Sequence, residues 1–127
     1  MPSQHRVSEF VAAVREGRYV EAIEDFYAEN SAMKENLGPE RRGREVLIQY
    51  ERAVLGALRG MVTRDVGAVL IDGDRVVINW LFEMTAKDGS VRRLDELALQ
   101  TWRDEWIVEE QFYYDPGQLA ATHPTHA

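Results

Sequence analysis

The sequence has no cysteine among its 127 residues. Disulfides, thiolate nucleophiles and cysteine metal sites are therefore excluded, which fits a reducing compartment. No run reaches the ~18 apolar residues that a membrane-spanning helix needs. The first ten residues, MPSQHRVSEF, lack the apolar centre of a signal peptide. We therefore expect a cytoplasmic protein.

Histidine is scarce and lies at the ends of the chain. His5 is near the N-terminus, while His123 and His126 fall in a segment, residues 117–127, whose composition predicts a flexible tail. With no histidine in the predicted core, acid–base chemistry falls to carboxyl groups and tyrosines. The His123 and His126 pair would bind a metal only in an ordered tail, so we expect no metal site and no cofactor.

The sequence also lacks a cluster of lysine and arginine that is free of neighbouring acidic residues. The net charge is −7, and the basic runs at residues 41–44 and 92–93 are flanked by acidic residues. Nucleic acids and anionic membrane surfaces require clustered lysine and arginine. We therefore expect neither as a partner.

What the sequence does contain predicts one domain over residues 1–127, since 45% of its residues are hydrophobic and 29% are charged. Three helices are predicted first. Ser3 caps the first, which Gly17 ends, and the third runs from Gly43 to Gly60. The apolar residues of the second recur at helical spacing: Val20, Ile23, Phe26 and Tyr27.

Strands follow the helices. Two Asp-Gly turns, at residues 72–73 and 88–89, predict an antiparallel meander. Its strands are expected at residues 62–71, 75–85, 91–102 and 106–114, with an extended run at 32–37 added at an edge. Both faces of these strands are apolar, so we expect one face to pack on the helices and the outer face to form a homodimer. The predicted fold class is α+β.

Three segments in this order resemble the nuclear transport factor 2-like superfamily, and within it the SnoaL-like proteins. The segments are Glu21-Ala22-Ile23 with Phe26-Tyr27-Ala28, then Gly43-Arg44-Glu45, then the closing strand at residues 107–116, IVEEQFYYDP. The resemblance covers residues 7–119. It implies a cone-shaped, cystatin-like fold in which a strongly curved antiparallel sheet wraps three helices and leaves an apolar pocket.

The resemblance also gives positions for catalytic groups. Glu35 falls where ketosteroid isomerase has its Asp base and limonene epoxide hydrolase a water-positioning Asn. Phe10 and Ala98 stand where the isomerase has its oxyanion donors, and Phe112 where SnoaL-like cyclases have an acid–base residue. Glu110, two residues earlier, points to the same side as Phe112.

These residues predict a small-molecule-binding domain with an apolar ligand, acting as a cofactor-free isomerase, cyclase or hydrolase. Glu35, expected to lie between inward-facing Met33 and Leu37, is the predicted base, and Glu110 is the second catalytic candidate. The predicted ligand-binding residues are Met33, Tyr27, Tyr50, Trp80, Phe82, Phe112 and Tyr114. The alternative function is a non-catalytic dimeric ligand-binding or protein-interaction module.

Strand parity stays open at this point, since one bulge reverses it. Either Trp80 and Phe82 line the pocket, or the opposite parity places there Asn79, Leu81, Glu83 and Glu96.

Overall fold

The first two helices form where apolar residues recur three and four positions apart. A computed structural model describes residues 1–120. Helix α1 (Gln4–Arg15) is capped by Ser3, whose Oγ accepts a hydrogen bond from the Arg6 amide at 3.0 Å. Helix α2 (Tyr19–Phe26) buries Ala22 and Ile23. The capped start predicted for the first helix is thus confirmed.

Strand β1 (Tyr27–Glu35) begins directly where α2 ends. The prediction that Tyr27 belongs to the second helix, and that the extended run covers residues 32–37, was therefore wrong. Asn36 adopts a positive φ of 51° and ends the strand. Leu37 is consequently 91% exposed, so it does not face inward beside Glu35 as predicted.

Helix α3 is shorter than predicted. It spans Arg44–Gly56, after Gly43 at a φ of 103°. Strand β3 (Leu58–Asp72) already starts two residues after the helix ends, so Gly60 lies inside a strand and does not end the helix. The backbone therefore changes from helical to extended conformation within two residues.

The six strands form one sheet. Besides β1 they are β2 (Arg41–Arg42), β3 (Leu58–Asp72), β4 (Arg75–Ala86), β5 (Val91–Arg103) and β6 (Trp106–Tyr113). Their order is β2-β1-β6-β5-β4-β3. All neighbours are antiparallel except β1 and β6, which are parallel with Met33 opposite Glu110. The predicted edge run therefore lies inside the sheet, with β2 outside it.

The helices pack on the inner face of this curved, unclosed sheet. Along β4 the side chains of Val76, Ile78 and Trp80 are buried, and the residues between them are partly exposed. Phe10 of α1 lies at the centre of the core, where its ring makes edge contacts with Trp80 at 6.3 Å and Trp102 at 6.2 Å. The inner face of the meander is thus the face on which a site can form.

The end of the described chain is a helical turn, α4 (Gly117–Ala120). Gln118 accepts a hydrogen bond from the Asp95 amide at 2.8 Å and donates to the Asp95 carbonyl at 3.0 Å. The predicted tail is therefore structured in its first four residues, and the rest of it, with His123 and His126, lies outside the described residues. Within residues 1–120 no helix is long and apolar enough to cross a membrane.

Candidate functional site

A cavity of about 290 Å³ lies between the helices and the inner face of the sheet. Most of its wall is aromatic or aliphatic. Four carboxyl groups also line it: Glu35 and Glu51 are partly exposed, and Glu96 and Glu110 are buried. A cavity of this size is large enough for a small organic molecule.

Glu110 is held at the inner end by a chain of buried hydrogen bonds. The Tyr27 hydroxyl donates to Glu110 Oε1, and Gln100 Nε2 donates to Oε2 at 2.6 Å. Trp102 Nε1 donates to Gln100 Oε1 at 2.9 Å, which turns the Gln100 NH₂ towards Glu110. Burial raises the pKa of Glu110 to about 7, although both hydrogen bonds act in the opposite direction. Burial, followed by the Glu110 charge, also raises the pKa of Tyr27.

Glu96 is the second deep carboxyl group. It lies on β5 directly opposite Trp80 and is 6% exposed. Burial, and then repulsion from Glu110, Glu35 and Glu51, raises its pKa to about 8. At neutral pH this side chain is therefore mostly protonated in the free protein.

The mouth of the cavity holds an ion pair. Arg41 Nη1 lies 3.4 Å from Glu35 Oε2, and its guanidinium stacks 3.7 Å from the centre of the Tyr50 ring. Arg41 Nε is buried and has no hydrogen-bond partner within residues 1–120. Burial raises the pKa of Glu51, while the Arg41 charge lowers it.

All nine predicted site residues line this cavity. The structure matches neither parity alternative in full. Trp80 and Phe82 line the cavity, as in the first alternative, but Glu96, which belonged to the second, lies on the same inner face. Glu83 lies on the other face and pairs with Arg93 at 3.2 Å.

Sequence reasoning missed Arg41 and Glu51, and gave Glu96 only as an alternative. One signal was available for Glu51, which lies four residues after Leu47 and three before Val54 on the predicted apolar stripe. A two-residue Asp88-Gly89 turn would have placed Leu97 opposite Trp80. The loop in the structure has three residues, 87–89, and this shift of one position brings Glu96 opposite Trp80.

Metal-ligating side chains do not gather in the described chain, where no group of three or more His, Asp or Glu residues could hold an ion. His5 instead lies 3.5 Å from Glu9 on α1.

Comparison with known proteins gives both a family and structural neighbours. The family model of the SnoaL-like domain matches residues 7–110. A Mesorhizobium loti protein named a SnoaL-like polyketide cyclase is 27% identical, with a TM-score of 0.74 over 87% of this chain and 97% of that one. None of the curated proteins matches the chain in sequence.

Two further structures are less similar in sequence. TerC, co-crystallised with polyporic acid, is 21% identical, with a TM-score of 0.77 over 91% of this chain and 93% of that one. A Catenulispora acidiphila protein in complex with trimethylamine has a ketosteroid isomerase-like fold and is 19% identical. Its TM-score is 0.75 over 91% of this chain and 89% of that one. The predicted α+β, cystatin-like fold is thereby confirmed, and since the family model covers most of its length, the chain belongs to the SnoaL-like domain family.

Proposed function

We propose that the chain binds a small, largely apolar organic molecule in the cavity and moves a proton on it without a cofactor, as an isomerase, cyclase or hydrolase. The observation that carries this proposal is Glu110, a 3% exposed carboxyl group that lines the cavity and has a pKa of about 7 because it is buried. At neutral pH such a group is partly ionised and partly protonated. It can therefore both take and return a proton.

In this scheme the Glu110 carboxylate removes a proton from a carbon next to a carbonyl group, or from a water molecule. In the first case the electron pair of the broken C–H bond moves onto the carbonyl oxygen. In an enolate conjugated with a C=C bond, the electron pair then moves back from the oxygen to a second carbon, which takes the proton from Glu110 and completes an isomerisation of the double bond. Tyr27 and Gln100 orient the carboxylate, and each oxygen keeps a second lone pair for the substrate proton.

The structural neighbours support a small-molecule site within this fold. The Mesorhizobium loti neighbour is named a polyketide cyclase, and two others were crystallised with polyporic acid and with trimethylamine. Because that set includes both an acid and an amine, the charge preference of this cavity has to come from its own residues.

Glu35 as the base stays a prediction. Its side chain is 37% exposed at the mouth and is paired with Arg41. The Glu35 carboxylate is already engaged by Arg41, whereas Glu110 is buried and lines the cavity, so we place the base at Glu110 and keep Glu35 as the second candidate.

Proton exchange in D₂O tests the proposal without knowledge of the natural product. We expect the wild-type protein to accelerate deuterium incorporation next to the carbonyl of 2-tetralone and 1-indanone, measured by ¹H NMR. Glu110→Gln should reduce the acceleration about 10²- to 10⁴-fold. Glu109→Gln changes the exposed neighbouring residue and should keep the wild-type rate.

Three outcomes would count against this assignment. Equal rates for the wild type and Glu110→Gln would remove Glu110 as the base. A loss confined to Glu35→Gln would move the base to Glu35. No acceleration by the wild-type protein would contradict proton abstraction from these ketones.

The alternative, a non-catalytic ligand-binding module, is favoured by one observation. Tyr27 and Gln100 satisfy both oxygens of Glu110, as they would for a carboxyl group with a purely structural role. Ligand binding without any proton exchange would support this function. A cytoplasmic location also stays a prediction.

A further inference from the structure

Glu96 is a buried carboxyl group that the proposed proton transfer does not use. It lines the cavity and is 6% exposed. Within residues 1–120 its carboxyl oxygens accept no hydrogen bond and form no ion pair, whereas Glu110 has two donors. Buried carboxyl groups are normally paired, so an unpaired one that faces a cavity points to a partner supplied by the ligand.

The charges around the cavity are unbalanced. Of the described residues that line it, four are glutamates and Arg41 is the one cation. Arg41 is held at the mouth between Glu35 and Tyr50. The deep carboxyl groups, Glu96 and Glu110, therefore have no positive counterpart.

An aromatic residue lies directly opposite Glu96 in the sheet. Trp80 is its direct cross-strand neighbour, with Cβ atoms about 5 Å apart in such pairs. Phe82 stacks on one face of Trp80, with ring centroids 5.7 Å apart, and both rings line the cavity together with Glu96. The face of a tryptophan ring attracts cations more strongly than that of any other side chain, and most strongly where water is excluded.

We infer that the ligand of this cavity is an apolar amine, whose ammonium group pairs with the Glu96 carboxylate against the face of Trp80. The inference rests on the proposed ligand-binding function of the cavity and adds a substrate class to it. The apolar part of the molecule would extend from Glu96 towards Glu110. An ammonium group pairs with the ionised Glu96 carboxylate and also reduces the surplus of negative charge. A neutral ligand can form a hydrogen bond with Glu96 but leaves that charge unchanged.

The inference makes binding depend on pH with a definite sign. In the free protein Glu96 has a pKa of about 8, so at pH 7 it must lose its proton before it pairs with an ammonium group. The affinity should therefore rise with pH by up to about tenfold per unit and level off above pH 8. Other ionisable groups line the same cavity: Glu35, Glu51, Glu110, Arg41, Tyr19, Tyr27, Tyr50 and Tyr114.

Two probes of the same shape, one charged and one neutral, show whether the charge of the ligand determines its affinity. Phenyltrimethylammonium has a permanent charge and no proton to lose, and tert-butylbenzene is its uncharged carbon counterpart. We expect isothermal titration calorimetry at pH 8 to show at least about tenfold tighter binding of the cation to the wild-type protein. At pH 7, titrations in buffers of different ionisation enthalpy should show that cation binding releases nearly one proton.

Two variants place the preference at Glu96. Glu96→Gln removes the charge and keeps the shape, so it should lose most of the wild-type preference for the cation. Any preference that remains comes from Trp80 and the other three carboxyl groups of the cavity. Asp95→Asn changes the adjacent exposed residue, whose side chain accepts from Asn79, and should keep the wild-type preference.

The outcomes separate this inference from the proposed function. Equal affinity of the wild type for both probes would overturn the amine inference and leave an apolar pocket in place. A cation preference as large in Glu96→Gln as in the wild type would also overturn it. Failure of both probes to bind would contradict the small-molecule pocket itself, and the amine inference with it.

Discussion

Glu96 and Glu110 bring two carboxyl groups into the interior, with pKa values of about 8 and about 7. An unfolded chain would release these protons near pH 4.3. Between that pH and about 8 the folded protein therefore holds more protons than the unfolded chain. Since each raised pKa favours folding only while the group is protonated, this contribution to stability falls as the pH rises.

We accordingly expect the melting temperature of the ligand-free protein to fall as the pH rises from 5 to 8. Glu96→Gln should flatten this dependence and raise the free energy of unfolding at pH 8 by on the order of a few kcal/mol, at about 1.4 kcal/mol per unit of pKa shift. Calorimetric melting at several pH values measures the effect. The exposed Glu109→Gln should keep the wild-type slope, and an unchanged slope in Glu96→Gln would contradict the account.

Individual residues were predictable where alternation alone decides their direction. Alternation placed Trp80 and Phe82 on the same side of β4, which is regular through that stretch, but it left open which side faces the helices. Leu37 was misplaced because Asn36 leaves the extended conformation, an effect of its local φ that periodicity does not reveal. The role of Arg41 was hidden because its run of arginines has the composition of an exposed segment.

At the scale of elements, β3 bends where its pairing with β4 becomes irregular. One such irregularity lies between Val66 and Val69, and a Cβ added at Gly67 would lie 2.3 Å from Asn79 Oδ1. The Asn79 side chain cannot easily move away, because its Nδ2 donates to Asp95 at 2.7 Å and to the Glu96 carbonyl at 3.0 Å. The absence of a side chain at Gly67 thus allows Asn79 to tie β4 to β5.

Gly67→Ala should therefore lower the free energy of unfolding by about 1–3 kcal/mol, through overpacking against Asn79. Gly60→Ala is the matched control on the same strand, since nothing lies within 4 Å of its added Cβ. We expect that variant to be unchanged, or stabilised by up to ~1 kcal/mol. Urea unfolding measures both, and equal stability of the two variants would rule out the close contact.

The sequence predicted the elements better than their ends. The two Asp-Gly dipeptides located the hairpins, because the segments that flank them share a period of two. The loops themselves differ from the predicted turns: the first is Gly73-Asp74 and the second spans three residues, 87–89. The boundary at Tyr27 was missed because neither glycine nor proline marks the change from α2 to β1. At Gly60 the usual helix-ending residue lies within a strand, where pairing with β4 overrides local preference.

For the whole molecule, the outer face of the sheet carries exposed apolar side chains. Leu97 and Tyr113 are cross-strand partners there and are 46% and 42% exposed, and Leu70 on β3 is 61% exposed. Apolar residues grouped on one open face are typical of subunit interfaces. The homodimer through this face stays a prediction.

We expect sedimentation at micromolar concentration to give a dimer for the wild-type protein. Leu97→Asp should shift it to the monomer, because a charge would be buried at the interface without a partner. Val46→Asp, an equally exposed apolar position on α3, should leave the dimer intact. A monomeric wild-type protein would contradict the predicted interface.

The overall architecture was predictable because the order of helices and hairpins, together with the family resemblance, leaves few ways to cover one face of the meander. The parallel pairing of β1 with β6 was not. It joins residues as far apart as Met33 and Glu110, and no local period indicates which strands become neighbours in the sheet.

The parallel pairing of β1 with β6 determines when the site forms during folding. Tyr27 and Glu110 are hydrogen-bonded across 83 positions of sequence, whereas β3 to β6 are joined by short turns. Contacts between distant segments are the slowest to form, because the intervening chain must first be closed into a loop. Strands β3 to β6 can therefore pair before the Tyr27 hydroxyl reaches Glu110. Proton-transfer activity at Glu110 would then show that β1 has paired with β6.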